Sequence, residues 1–227
     1  MTRAPRLARR PKAVIFDMDG LILDTESLGI RTWAAAATMT GVEFDPALLP
    51  SMIGRSNRDC RALLRQHYGD AYPVDQLAAS CTVAFDAIVA QDGIALKAGV
   101  VELLEWLESH DIPRAVATST RRARALAQLT DKKLFHRFAT LVGGDEVAHS
   151  KPAPDIFIEA AARLHVPAGE CVVLEDSEPG VRAAVAAGIA PVMVPDLHGP
   201  SAAVLAADTL VLPSLFEVRT YLDRLPR

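Results

Sequence analysis

Five short, almost wholly apolar runs constrain this chain more than any other feature. They lie at 13–16, 115–118, 140–142, 171–174 and 191–194, and polar residues or Gly/Pro follow each of them. A run that is apolar throughout, rather than at every second residue, suits a strand buried on both faces. Between most of the runs the spacing changes to that of helices. Val100, Leu103, Leu104 and Leu107 share one helical face, and Ile156, Ala160 and Leu164 share another. Strands that alternate with helices imply a parallel sheet, because parallel neighbours need a crossover. A sixth strand is expected at 209–212.

The rhythm breaks once. From 24 to 97 no strand pattern occurs, and helical patterns run at 28–39, 56–67 and 74–91. In the last, Leu77, Cys81, Phe85 and Ile88 fall on one face. The expected architecture is α/β: a Rossmann-like parallel sheet with helices on both faces, formed by 12–26 and 95–227, and an inserted all-helical unit over 27–94. Polar residues with Gly93 and Gly99 mark hinges at 24–27 and 91–99. Residues 1–11 read as a flexible basic tail.

Composition excludes several classes. Half of the 227 residues are hydrophobic and 23% are charged, which is unlike a disordered chain. No apolar run reaches the 18 or so residues a spanning helix needs. Three cysteines, widely spaced, offer neither a zinc pattern nor a disulfide framework, and the first residues lack the apolar stretch of a secretory signal. A cytoplasmic protein is expected, with no membrane contact. Five of the 24 basic residues, Arg3, Arg6, Arg9, Arg10 and Lys12, precede the first run, leaving 19 against 28 acidic ones. So acidic a body does not suit a nucleic-acid partner. A monomer is expected.

Open parallel sheets bind ligands beyond the carboxyl ends of their strands. Asp17, Asp19 and Gly20 follow the first run. Thr118, Ser119 and Thr120 follow the second, Lys151 lies in the loop after the third, and Glu175, Asp176 and Ser177 follow the fourth. Crowded carboxylates are costly without a cation. An all-oxygen set with room for water favours Mg²⁺. A metal beside a hydroxyl, an ammonium and loop N–H groups suits a phosphoryl group. Asp17 could then be a nucleophile, since carboxylates form acyl phosphates. Asp19, on the same side of an extended segment, could serve as general acid and base. Taken singly, each residue has a plainer reading: helix caps for Asp17, Asp19, Thr118 and Ser119, a surface lysine for Lys151, an acidic turn for Glu175–Asp176.

Phe16-Asp17-Met18-Asp19-Gly20-Leu21, followed by Asp24-Thr25-Glu26, resembles the first motif of the haloacid-dehalogenase-like hydrolase superfamily. Thr118 in Ala117-Thr118-Ser119 resembles its second, Lys151-Pro152 its third and Glu175-Asp176 its fourth, in the family's order over about 12–215. The helical insert stands where that family carries a cap domain. The resemblance implies Asp17 as nucleophile and metal ligand, and Asp19 as general acid/base with its backbone carbonyl on the metal. It implies Thr118 and Lys151 on the phosphoryl group, Asp176 on the metal, and Glu175 on it directly or through water. Backbone N–H groups of Met18, Asp19 and Ser119 would complete a phosphate cradle.

The acid at Asp19 separates phosphoryl transfer from dehalogenation within that family. The closest branch is similar to β-phosphoglucomutases and sugar-phosphate phosphatases. The mutase's cap histidine, lysine and arginine correspond here to Gly29, Ile53 and Asn57. The expected activity is therefore Mg²⁺-dependent hydrolysis of a small phosphorylated metabolite, such as a sugar phosphate. A phosphosugar mutase and a non-catalytic phosphometabolite-binding protein are the alternatives. Substrate choice is expected on the cap, at Gly54, Arg55, Ser56, Asn57 and Arg58, with an arginine suited to a second anionic group.

Overall fold

The computed structural model describes residues 4–52, 57–197 and 199–227, with Asn57 described in its backbone alone. Six strands form one parallel sheet in the order β3-β2-β1-β4-β5-β6. They are β1 (Ala13–Phe16), β2 (Arg114–Ala117), β3 (Thr140–Val142), β4 (Cys171–Glu175), β5 (Ala190–Met193) and β6 (Leu210–Val211). All six expected strands are present, with ends shifted by a residue or so. The chain builds outward from β1 in one direction through β2 and β3, and in the other through β4. The order therefore reverses between β1 and β4, where such sheets open a crevice.

Both faces of the sheet are buried, which explains the continuous apolar runs. Val14, Phe16, Val116, Val172 and Leu174 point to one face. There they meet helices α5 (Val100–Ser109), α6 (Arg122–Asp131) and α10 (Leu215–Arg224). Ala13, Ile15, Ala115, Ala117 and Val173 point to the other, against α7 (Asp155–Arg163) and α8 (Glu178–Ala186). The expected helix faces are the buried ones: Leu103, Leu104 and Leu107 are fully buried, as is Ala160. Burying one such leucine is worth about 1.5–3 kcal/mol. A short helix, α9 (Ala202–Ala206), packs beside β5 through Val204.

Between β1 and β2 the described residues form four further helices: α1 (Glu26–Thr40), α2 (Leu49–Met52), α3 (Asn57–Tyr68) and α4 (Val74–Asp92). They have a small core of their own, in which Ala36, Met52, Cys60, Leu64, Val74 and Leu77 are buried. Trp33 stacks on Phe44 at 5.2 Å beside it. The apolar face expected on α4 divides between two cores. Leu77 and Cys81 belong to the insert, whereas Phe85 and Ile88 pack against the main sheet cluster. The two hinge segments hold each other. Asp24 N–H donates to Ala95 O at 2.9 Å, and Lys97 N–H to Ile22 O at 2.9 Å.

The N-terminal segment differs from the expected flexible arm. Ala4 is buried, and its N–H donates to Ala207 O at 2.7 Å. Arg6 pairs with Asp208. Arg10 donates to Asp223 O at 2.7 Å and lies 5.4 Å over the Trp106 ring. Guanidinium groups that find a carboxylate and an aromatic face account for this docking. Composition near a terminus does not reveal such partners, since they come from the middle and the far end of the chain. Among the described residues, no helix is long and apolar enough to cross a membrane.

Candidate active site

The ladder between β1 and β4 carries the site. Asp17 N–H donates to Leu174 O at 3.0 Å, so the first residue past β1 stands beside the end of β4. Asp17, Glu175 and Asp176 are all buried, and ligand oxygens from the three lie within 4.8 Å of one another. Lys151 is buried as well. Its ammonium pairs with Asp17 Oδ1 and donates to Glu175 Oε1 at 2.6 Å. The Phe157 ring lies 5.0 Å from Nζ on α7.

Glu175 is held from both ends. Its Oε2 accepts from the Ser177 N–H at 2.7 Å and from the Ser177 hydroxyl at 2.8 Å. Ser177 is also the N-cap of α8, accepting from Gly180 N–H. A run of contacts thus leads from the start of α8 through Ser177 and Glu175 to Lys151 and Asp17. Gly20 closes the opposite side. Its φ of +83° turns the chain after Asp19, and a β-carbon there would stand 2.3 Å from Asp176 Oδ2. Glycine meets both demands, left-handed backbone and close approach.

The charges are unbalanced. Three carboxylates face one ammonium. Burial pushes the Asp17 carboxyl up to about 8 despite the pull of Lys151, with Glu175 and Asp19 adding to the rise. Burial likewise raises Asp176 well above the carboxylate range, helped by Glu175 and Asp17. Burial alone would lower Lys151, but Asp17 and Glu175 hold it above its ordinary value, so it is cationic. A divalent cation would cancel the remaining charge of three carboxylates and one ammonium, and would keep Asp17 and Asp176 ionised. The donors are all oxygen, as hard cations such as Mg²⁺ require. The residues present fit such an ion.

Asp19 is placed apart from the carboxylate cluster and is held by two hydroxyls. Thr118 donates to its Oδ2 at 3.0 Å and Thr120 at 2.8 Å. Thr118, wholly buried, also accepts from the Thr120 N–H at 3.0 Å. Both threonines follow β2, the neighbour of β1. Met18, in the turn after β1, is buried, and its carbonyl accepts from Ile22 and Leu23 N–H at 2.9 Å. Ser119 lies between the two threonines. The structure thus brings Asp17, Asp19, Met18, Thr118, Ser119, Lys151, Glu175 and Asp176 to one sheet edge.

Of the cap residues singled out from sequence, Gly54, Arg55 and Ser56 lie outside the described residues, as does the Asn57 side chain. Arg58, exposed at the start of α3, reaches Ser150 Oγ at 3.4 Å, next to Lys151. Thr120, Ser177 and Gly180 were not among the residues assigned roles from sequence. The hydroxyls were visible at the right strand ends, but their acceptors are set by packing. His149 bonds Asp155 at 2.8 Å and remains exposed, while His198 lies outside the described residues.

A cavity of about 190 Å³ opens next to Asp19. Thr25 and Glu26 share its polar edge, and Gly29, Trp33, Met52 and Cys60 of the insert line its far side with Ile30 and Leu49; Leu197 of the loop after β5 adds to the described wall.

Known proteins resemble this chain in sequence and fold. Residues 14–194 match the family model for haloacid dehalogenase-like hydrolases. A bifunctional riboflavin kinase/FMN phosphatase of Arabidopsis thaliana is 29% identical over 220 residues, which is 96% of this chain. The chain spans 57% of that larger protein. The fructose-1-phosphate phosphatase YqaB of Escherichia coli is 32% identical over 189 residues, covering 79% of this chain and 94% of the relative. Among solved structures, CbbY from Rhodobacter sphaeroides in complex with phosphate aligns with a TM-score of 0.77 at 29% identity, covering 92% of this chain and 96% of its own. A family match across most of the chain, four ordered motifs at four strand ends and a shared fold lead to one conclusion: the chain belongs to the haloacid dehalogenase-like hydrolase family.

Proposed function

We propose that the protein is a phosphatase of small phosphomonoesters, a sugar phosphate or similar metabolite, which acts through an aspartyl-phosphate on Asp17 and requires Mg²⁺. The observation that carries this reading is the buried contact of Asp17 with Lys151, at the reversal point of the sheet and within one carboxylate cluster with Glu175 and Asp176. Phosphatases among the relatives support the same reading.

Asp17 attacks phosphorus in line, forming an acyl phosphate as the ester P–O bond breaks. Lys151 offsets charge on the phosphoryl oxygens and keeps Asp17 oriented. Asp19, aimed by Thr118 and Thr120, gives its proton to the departing alkoxide. It then takes a proton from the water that attacks the acyl phosphate, releasing inorganic phosphate and restoring Asp17. The N–H groups of Met18, Asp19 and Ser119 form the cradle for the phosphoryl oxygens, joined by the Thr118 hydroxyl when it turns from Asp19 to the bound group, leaving Thr120 on Asp19. Asp17, Asp176 and the Asp19 carbonyl would hold Mg²⁺, with Glu175, whose oxygens already have partners in the chain, acting through water. When bound, the ion supplies positive charge beside the transferring group.

The insert over 27–94 serves as a cap, excluding bulk water when closed and releasing product when open. A mutase would need cap groups for a second phosphate, and Gly29 offers no side chain at the position where that enzyme carries a histidine. Release of inorganic phosphate from a panel of phosphomonoesters, with Mg²⁺ and then with EDTA, tests the reading. Metal-dependent release is expected. Turnover unchanged by EDTA would remove the metal from the proposal, and absence of turnover across the panel would favour a binding protein.

A further inference from the structure

The cavity beside Asp19 has two unlike sides. Asp19, Thr25 and Glu26 form a polar edge on the side of the sheet. Elsewhere the described wall is mostly apolar, from Ile30, Trp33, Leu49, Met52, Cys60 and Leu197. Ile30 and Leu197 are about half exposed, at 47% and 48%, although each is a large apolar side chain. Apolar surface kept next to a polar reactive group is how a binding pocket differs from ordinary protein surface.

Gly29 sharpens the point. It lies in the first turns of α1, and its N–H donates to Thr25 O at 2.8 Å within ordinary helical geometry. Among the described residues, none outside the helix's own backbone stands within 4 Å of where its β-carbon would be. The turns at Gly20 and Gly99 demand glycine through positive φ or close approach, but Gly29 has neither reason. A glycine inside a helix costs roughly 0.5–1 kcal/mol relative to alanine. Its effect on the fold is therefore unfavourable, and its visible consequence is open space on the cavity wall.

We propose that this cavity receives the alcohol portion of the phosphate ester, and that the open space at Gly29 with the apolar wall selects alcohols bearing an aromatic or alicyclic carbon face over acyclic polyols. The inference rests on the phosphatase reading and names the substrate class for that same site. The size agrees: an apolar cavity of about 150 Å³ accommodates benzene, and about 190 Å³ leaves room for one ring and its link to phosphorus. Trp33 supplies an aromatic surface for the ring. Along the described wall a polyol finds the carboxylates and hydroxyl of one edge, and little for hydroxyls laid against the apolar remainder.

The test compares benzyl phosphate with glycerol 3-phosphate. Both are esters of primary alcohols, so leaving-group chemistry does not favour either as it would favour a phenyl ester. Wild-type protein is expected to show kcat/KM at least ~10-fold higher for the benzyl ester. Gly29→Leu extends into the cavity from a β-carbon position clear of described neighbours and is expected to fold with an equal or higher Tm. It should reduce that preference at least ~10-fold, chiefly through the benzyl ester. Wild-type turnover of both esters with glycerol 3-phosphate equal or better, or an equal loss for both in Gly29→Leu, overturns the pocket assignment and leaves the phosphatase reading intact. Release of phosphate from neither ester, nor from any other in the wider panel, overturns both.

Discussion

Gly180 and Glu175 approach so closely that a β-carbon on the glycine would stand 1.7 Å from Glu175 Oε1 and 2.6 Å from Oε2. The start of α8 is thereby packed directly on the carboxylate that anchors Lys151. Both oxygens of Glu175 already have partners, so it cannot yield without breaking the bond to Lys151 or to Ser177.

Gly180→Ala should therefore disturb the site through Glu175. A loss of about 1–3 kcal/mol is expected from overpacking, with a fall in kcat larger than any change in KM. Gly169→Ala, where nothing lies within 4 Å of the added carbon, is the control and should leave both nearly unchanged. Urea melts and phosphate release measure the two effects, and equal behaviour of the two variants would contradict this account.

Asp17→Asn should abolish turnover while the fold survives, because the amide cannot form the acyl phosphate. Asp19→Asn should lower kcat by roughly 10²–10⁴-fold, the usual share of general acid–base catalysis. Steady-state phosphate release, with circular dichroism for the fold, measures both. Near-normal turnover by Asp17→Asn would remove the nucleophile from the mechanism.

Thr120 is a positioning residue, since its hydroxyl reaches Asp19 Oδ2 at 2.8 Å beside that of Thr118. Thr120→Val should lower kcat by about 10-fold with KM little changed, as a net hydrogen bond to a charged group is worth about 1.5–3 kcal/mol. Thr120→Ser should recover most of the loss. A variant whose KM rises while kcat holds would place Thr120 on the substrate instead.

Mg²⁺ should stabilise the protein as well as activate it. Ligands that bind the folded state alone add RT ln(1 + [L]/Kd), or about 2.7 kcal/mol at a hundredfold excess over Kd. Tm is therefore expected to rise with Mg²⁺ in the wild type and to respond much less in Asp176→Ala. A wild-type Tm that ignores the ion would oppose metal binding by the acidic cluster, independently of any activity.

Away from the site, Glu108 should shape acid stability. The Arg137 hydrogen bond, with Arg137 and Arg114 charges, holds its carboxyl below the ordinary value of 4.5 despite some burial. Its contribution is present above that value and is lost as pH falls through the lower folded value. Glu108 itself is 40% exposed, although Arg137 is only 13% exposed, so solvent screening keeps the effect small. Glu108→Gln should flatten the stability curve below about pH 4.5 relative to wild type; melts across pH 3–6 (roughly the carboxylate range) would show identical slopes if the arginines do not act on it.

The sequence alone determined the parallel sheet, the helical insert and the four strand ends that carry Asp17, Thr118, Lys151 and Glu175–Asp176. These are local properties: a strand buried on both faces needs an apolar run, and the polar residues follow it in the chain, directly for Asp17, Thr118 and Glu175–Asp176 and within the next loop for Lys151. Tertiary structure decided what those residues touch. It turned the Thr120 hydroxyl onto Asp19, packed Gly180 on Glu175, divided α4 between two cores and docked Arg10 on Trp106. It also assembled the cavity wall from Ile30, Trp33, Met52 and Leu197, positions up to 167 residues apart in the chain. Contacts of that kind depend on which faces the packed elements turn toward one another, and periodicity within a segment says nothing about its distant neighbour.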